Sequence, residues 1–194
     1  MDRVTLKSAA KSQIKGHIGI LFVISLLSCL IGGALGSIPV VGSIASMFIS
    51  AAFSLAVINI YMGITEGRKP EVGDLFSQFN NIIPAFCTSF LVGLYTFLWS
   101  LLFVIPGIVK ACSYSQAMYI LAEDPTIGAS EAINRSKAMM EGHKMEYFLL
   151  GLSFMGWSIL GAFTLGILYI WLIPYMSATY ANYYKSLKGE PVIY

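Results

Sequence analysis

Three long stretches of this sequence contain no charged residue, and they restrict the fold more than any other feature does. Residues 18–65, 75–109 and 147–184 lack Asp, Glu, Lys and Arg. An apolar run of about 18–20 residues is long enough to cross the hydrocarbon core of a bilayer as a helix. Only 11% of the residues are charged, whereas a soluble domain carries about 25%. The sequence therefore predicts an integral membrane protein that crosses the bilayer several times.

Each uncharged stretch is too long for one helix and suits two, because turn-forming residues divide it at 36–43, 104–107 and 162–166. We therefore predict an all-α, polytopic membrane protein that forms a single domain over residues 1–194. Its six transmembrane helices are expected to form three hairpins, approximately at residues 18–64, 82–122 and 146–185. Amphipathic segments on the cytoplasmic side are expected at residues 1–16, 70–81 and 123–145.

The basic residues predict the orientation of these helices. Of the twelve lysines and arginines, all except Lys110 fall in segments that six crossings place on one side. Because cytoplasmic loops are enriched in Lys and Arg, both termini are expected in the cytoplasm, and the chain is expected to be multi-pass in the plasma membrane. The N-terminal segment also resembles a signal peptide. We expect an uncleaved first span instead, because the apolar region is long and further spans follow.

The first and third hairpins share a pattern. Gly-His precedes each of them, and a Tyr near the end of each is followed six residues later by Gly: Gly16-His17 with Tyr61 and Gly67, and Gly142-His143 with Tyr183 and Gly189. This pattern suggests the hypothesis of a repeated unit, an interfacial helix followed by a hairpin, with the same orientation each time.

Lys110 is the only formal charge between Asp74 and Glu123, and it follows Pro106-Gly107 by three residues. If residues 104–107 form the outer turn of the middle hairpin, Lys110 lies about one helical turn below it. One interpretation is that its stem reaches outward and places the ammonium at the head-group level. The other is that it turns inward, towards helix-end carbonyls, Tyr114 or an anionic ligand.

Two polar segments are candidates for lipid or partner binding. Arg3, Lys7, Lys11 and Lys15 recur at every fourth position and form a basic stripe on a helix; the stripe is interpreted either as a topology anchor or as a site for anionic lipid. In the second segment, Asp124-Pro125 is expected to begin an amphipathic helix that lies on the inner leaflet or docks a cytoplasmic partner. The candidate lipid- or ligand-contacting residues are Lys7, Lys11, Lys15, Lys110, Tyr114, His143 and Lys144.

The sequence gives no indication of catalysis. It contains no Walker motif, nucleophile elbow or HExxH, so we expect no enzyme, no catalytic residues, no cofactor and no metal site. Cys29, Cys87 and Cys112 all lie in apolar stretches and are interpreted as small packing residues. Nucleic-acid binding is not expected, because no basic patch is interleaved with soluble aromatic structure.

Several motifs resemble a known family. The residues 97–125 (FLWSLLFVIPGIVKACSYSQAMYILAEDP), 131–144 (EAINRSKAMMEGHK) and 152–184 (LSFMGWSILGAFTLGILYIWLIPYMSATYANYY) are similar to the bacterial integral membrane protein family known as domain of unknown function 975. The pattern is more distantly similar to the membrane domain of some glycerophosphodiester phosphodiesterases. That resemblance implies a lipid or envelope context, and it transfers no catalytic residue.

These observations lead to two expectations of function. The first is a non-enzymatic accessory or scaffold protein of the bacterial plasma membrane, whose partners are membrane lipids or another membrane or cytoplasmic protein bound at its cytoplasmic face. The alternative is a small-molecule or ion transporter or channel, with a polar path near Lys110 through the following residues: Asn59, Ser113, Tyr114, Gln116 and Asn182.

Overall fold

The computed structural model describes residues 3–36, 41–164 and 166–190, and these residues form helices and turns without a strand. The α-helices of the described ranges are α1 Arg3–Ile14, α2 Ile18–Gly36, α3 Val41–Thr65, α4 Ile82–Leu102, α5 Val104–Tyr114, α6 Ala117–Glu123, α7 Ala129–Met139, α8 Lys144–Phe163 and α9 Tyr169–Leu187. Two short 3-10 helices, Val72–Phe76 and Phe79–Asn81, join α3 to α4. The all-α prediction is confirmed.

Three segments of the described chain are long and apolar enough to cross a bilayer: Ala45–Thr65, Val72–Leu101 and Lys144–Phe163. There are four if α1 and the start of α2, which meet at an angle of 91°, form one bent span. The fold is therefore compatible with a membrane protein, whereas six crossings in three hairpins go beyond this count. The predicted turn at 36–43 lies partly outside the described residues.

The helix α3 forms the centre of the molecule. α2, α4, α6 and α9 all pack against it. Ala52, Leu55 and Ala56 are fully buried in the middle of α3, where small residues allow the neighbouring helices to approach closely.

Several helix ends meet at one end of the bundle, which we call the basic end. It consists of the last turn of α1, the C-terminal ends of α3, α6 and α9, and the first residues of α8. Side-chain contacts between distant residues join these ends: Gln13 with Asn182 at 2.8 Å, Lys185 with Glu66 at 3.0 Å, Tyr184 with Glu123 at 2.5 Å, and the Tyr183 hydroxyl with the His143 carbonyl at 3.1 Å. Segments that the charge pattern placed on one side are thus neighbours in space.

The predicted turn at residues 104–107 is wrong. The chain reverses at the single extended residue Phe103, with φ −158° and ψ 141°, and α5 already begins at Val104. Pro106 is accommodated because the N–H groups of a first helical turn need no intrahelical partner. Gly107 instead allows close packing, because a Cβ there would lie 2.2 Å from the Ser100 Oγ. Lys110 therefore lies six residues into α5, about 9 Å from the helix start.

The amphipathic helix expected from Asp124-Pro125 begins later and faces the protein. α7 starts at Ala129, and Asp124 ends α6 instead. Its apolar residues Ala132 and Ile133 are at most 1% exposed and pack against α4, α5 and α6. The bundle therefore covers the apolar face of α7, so the interpretation that this apolar face lies on the inner leaflet is wrong.

Candidate functional site

The helix α1 turns its basic side away from the bundle. Its inward face consists of apolar residues that are at most 3% exposed, namely Leu6, Ala9, Ala10 and Ile14, and it packs mainly against α9. Arg3, Lys11 and Lys15 are exposed. Lys7 leaves this row, because its ammonium lies 4.3 Å from the centroid of the Phe154 ring on α8. The predicted stripe is therefore an outward row of three cations, with Lys7 folded inward.

The Lys110 side chain contacts an aromatic ring of the neighbouring helix. Its ammonium lies 4.6 Å from the ring centroid of Trp99 on the neighbouring helix α4, within the range of a cation–π interaction. Tyr114 is buried, at 4% exposure, and its ring lies 5.6 Å from the ammonium of Lys137 on α7. Trp99 also forms a side-chain hydrogen bond with Tyr114, so Lys110 and Tyr114 share this neighbour.

His143 and Lys144 lie at the junction of α7 and α8. The His143 Nδ1 is 3.1 Å from the Glu146 Oε2, and its carbonyl accepts the hydrogen bond from Tyr183. Lys144 borders an apolar cavity of about 390 Å³ between α5 and α8, together with Ile105, Ile108, Val109, Cys112, Met145 and Phe148. Both residues belong to the basic end, which also includes the last turn of α1.

Ion pairs and hydrogen bonds close the basic end. The ammonium of Lys185, a residue only 6% exposed, contacts Glu66, and both Tyr184 and Lys188 donate to the Glu123 carboxylate. Burial opposes ionisation of Glu123, but these hydrogen bonds outweigh it and hold the pKa of its carboxyl below the usual range. The anions of this region are therefore engaged by cations of α9.

A polar cavity of about 270 Å³ opens at the basic end beside α1. It lies between the α1–α2 turn and the end of α3. Its polar lining residues are Ser12, Gln13, His17, Thr65 and Arg68, and Ile64 and Gly67 complete it. Two of these side chains, the Arg68 guanidinium and the His17 imidazole, are able to carry positive charge.

Arg68 is fixed in this cavity by the end of α3. Gly67, at φ 83°, reverses the chain after the helix, and the Arg68 N–H donates to the Gly63 carbonyl at 2.9 Å, as in a Schellman cap. The Arg68 Nη2 then donates to the Asn59 Oδ1 at 3.1 Å. The guanidinium crosses Gly63 so closely that a Cβ there would lie 2.3 Å from its Nε.

The residues of the polar path predicted for a transporter form hydrogen bonds and contacts within the protein. Asn182 exchanges hydrogen bonds with Gln13, and Ser113 donates to the Val109 carbonyl. Gln116 is 1% exposed, with an Oε1 atom that has no partner in the described structure. Five cavities of the described chain have none of these six residues in their lining.

Comparison with known proteins places the chain in a family. The family model described as "Protein of unknown function (DUF975)" matches residues 1–114 and 101–190. The chain belongs to this family. The two matches run from α1 to the end of α9, so DUF975 includes the first hairpin region as well as the motifs after residue 70. No curated protein and no solved structure matches the chain. The similarity to the membrane domain of glycerophosphodiester phosphodiesterases is not shown and stays a prediction.

Sequence analysis did not single out Arg68 as a site residue of this DUF975 protein. There Arg68, which Lys69 follows directly, served only as a marker of orientation, since basic residues after an apolar helix carry no further signal. The informative signals are Gly67 directly before it and Gly63 five residues before it. Together they indicate a helix cap that turns the Arg side chain back over its own helix.

Proposed function

We propose that this DUF975 protein is a non-enzymatic accessory or scaffold protein of the bacterial plasma membrane, which binds anionic lipids through its basic end. The supporting observation is α1, with Arg3, Lys11 and Lys15 exposed above a buried apolar face. α1 meets α2 at 91°, and in this proposal it presents these cations to lipid head groups. Each such charge contributes about 1 kcal/mol to binding of an anionic leaflet.

The proposal places the basic end in the cytoplasm and gives the chain six crossings in three hairpins. The meeting of the ends of α3, α6 and α9 with the start of α8 supports this arrangement. α2 and α9 each have 19 residues, a helix length of about 28 Å, which is close to the thickness of a hydrocarbon core. A reporter fused to the C-terminus is expected to be active only in the cytoplasm, and activity outside the cell would contradict the orientation.

The lipid proposal is tested by lipid enrichment around the purified protein. The wild type and the double variant Lys11→Gln/Lys15→Gln are reconstituted in nanodiscs with phosphatidylglycerol and phosphatidylcholine, and the lipids retained after mild detergent extraction are quantified. Two lost charges, at about 1 kcal/mol each, are expected to reduce the phosphatidylglycerol enrichment severalfold. Lys137→Gln, on the exposed side of α7, is the matched control. Equal enrichment in the wild type and the double variant would exclude α1 as the lipid-binding surface.

A further inference from the structure

We propose that the polar cavity between α1 and α3 binds the phosphate group of an anionic phospholipid. This inference rests on the proposed function, because it names the place where one head group is held. At about 270 Å³, the cavity is slightly smaller than the roughly 300–1,000 Å³ of sites for drug-sized ligands. It therefore suits a head group whose acyl chains remain outside.

The hydrogen-bonding groups of the cavity favour an anion. The Ser12 and Thr65 hydroxyls already donate to the carbonyls of Ala9 and Met62, and the Gln13 amide is paired with Asn182. The Arg68 guanidinium has five N–H groups, of which those on Nη2 contact Asn59. His17 also lines the cavity, and its imidazole carries at least one N–H donor. The remaining capacity is thus mainly that of donors, as phosphate oxygens require.

The position of Arg68 is set before any ligand arrives. The Asn59 side chain accepts the hydrogen bond from the Arg68 guanidinium. The same side chain donates a hydrogen bond of 3.3 Å to the Ala122 carbonyl at the end of α6. Together with the close approach to Gly63, this chain of contacts holds the guanidinium plane in one orientation. The remaining N–H groups of this prepositioned guanidinium donate single charge-assisted hydrogen bonds to phosphate oxygens with little loss of side-chain entropy.

The third hairpin provides an internal comparison. Gly189 at φ 80° ends α9 as Gly67 ends α3, and the Glu190 N–H donates to the Lys185 carbonyl in the same cap geometry. The residue after the glycine is here an acid, and the Glu190 carboxylate contacts Lys188 at 2.7 Å. The same backbone arrangement therefore presents a cation in the first hairpin and an anion in the third, so the phosphate site belongs to the first alone.

The side of α2 opposite its buried residues Leu21 and Ile24 is apolar and exposed. α2 starts directly after His17, and Val23, Leu26 and Leu30 are 41–59% exposed along one side of it. Their spacing of three and four residues forms a continuous apolar stripe on a helix. A phospholipid bound at the cavity would have exposed apolar surface of α2 available to its acyl chains, which a free inorganic ion would not use.

The test compares ligands on the full-length protein in detergent micelles. Isothermal titration calorimetry measures the binding of dihexanoyl phosphatidylglycerol, dihexanoyl phosphatidylcholine and inorganic phosphate. The wild type is expected to prefer phosphatidylglycerol over both. Arg68→Gln, and Gly63→Ala, which displaces the guanidinium, are each expected to weaken this binding at least tenfold. Gly93→Ala is the matched control, because a Cβ on this helical glycine of α4 meets no atom within 4 Å.

Unchanged binding of phosphatidylglycerol in Arg68→Gln would overturn the proposal. Arg68 is exposed, so this substitution does not disturb a core, and the test holds even if Gly63→Ala fails to fold. Equal binding of inorganic phosphate and phosphatidylglycerol would overturn the lipid assignment in favour of a free anion. If Lys11→Gln/Lys15→Gln reduces lipid enrichment while Arg68→Gln binds normally, the proposed function stands and the cavity is excluded. The reverse result supports the cavity and excludes the α1 surface.

Discussion

The contact between Lys185 and Glu66 allows a prediction in which the two partners behave differently. The Lys185 side chain is 8% exposed and the Glu66 side chain 58% exposed, with Nζ and Oε1 3.0 Å apart. Glu66→Gln leaves an ammonium buried beside a neutral amide. A hydrogen bond to a charged group contributes about 1.5–3 kcal/mol, and water at the exposed Glu66 reduces this. We therefore expect Glu66→Gln to lower the free energy of unfolding by about 1–2 kcal/mol.

Lys185→Met should change this free energy little, because it removes the buried charge and replaces it by an apolar chain of similar length. The double variant should resemble Lys185→Met, since neither variant contains a buried ammonium at this position. Unfolding is measured by titration with sodium dodecyl sulfate in mixed micelles, followed by circular dichroism. Glu131→Gln is the control, because its ion pair with Arg135 on α7 is about half exposed and contributes about 0.3–0.5 kcal/mol. The reasoning is refuted if Lys185→Met destabilises the protein as much as Glu66→Gln does.

Two further predictions concern single contacts. Lys110→Met should lower the free energy of unfolding by about 0.5–1 kcal/mol, and in a variant without the other tryptophans it should change the fluorescence emission of Trp99. Lys110→Arg should preserve both the stability and the emission. Unchanged emission in Lys110→Met would argue against the contact. Because the pKa of Glu123 is lowered, its contribution to stability is present above the unfolded-state value of about 4.3 and is lost as pH falls through the lower folded value. Glu123→Gln should therefore flatten the decline in thermal stability between about pH 5 and 3, and an unaltered decline would contradict this role.

Much of the helix pattern could be predicted from the sequence, because the transfer of apolar side chains out of water depends on composition more than on neighbours. The two helices predicted within 18–64 correspond to α2 and α3, and those predicted within 146–185 correspond to α8 and α9. The start of α2 at Ile18 was predicted directly. α8 begins at Lys144, two residues before its predicted start.

The break between α5 and α6 could not be predicted, because distant residues stabilise it. The expected helix at 107–122 is interrupted after Tyr114. Ser136, on α7, accepts a hydrogen bond from the Gln116 N–H at 3.2 Å and donates to the Ser113 carbonyl at 2.8 Å. One hydroxyl thus replaces the partners that both backbone groups would have in a continuous helix. Nothing in the local sequence around Ser115 indicates that a serine twenty residues later will do this.

The glycines show the same division between local and distant causes. Pro106-Gly107 looks like a turn, yet Gly107 lies within a helix and is required by the nearness of Ser100, which the sequence does not reveal. Gly67 marks a true reversal, because its positive φ ends α3 locally. What that reversal achieves depends on Arg68, Asn59 and Gly63 meeting on one side of the same helix end. A helix cap can thus be predicted from its glycine, whereas a binding site built on the cap depends on which side chain follows and what it crosses.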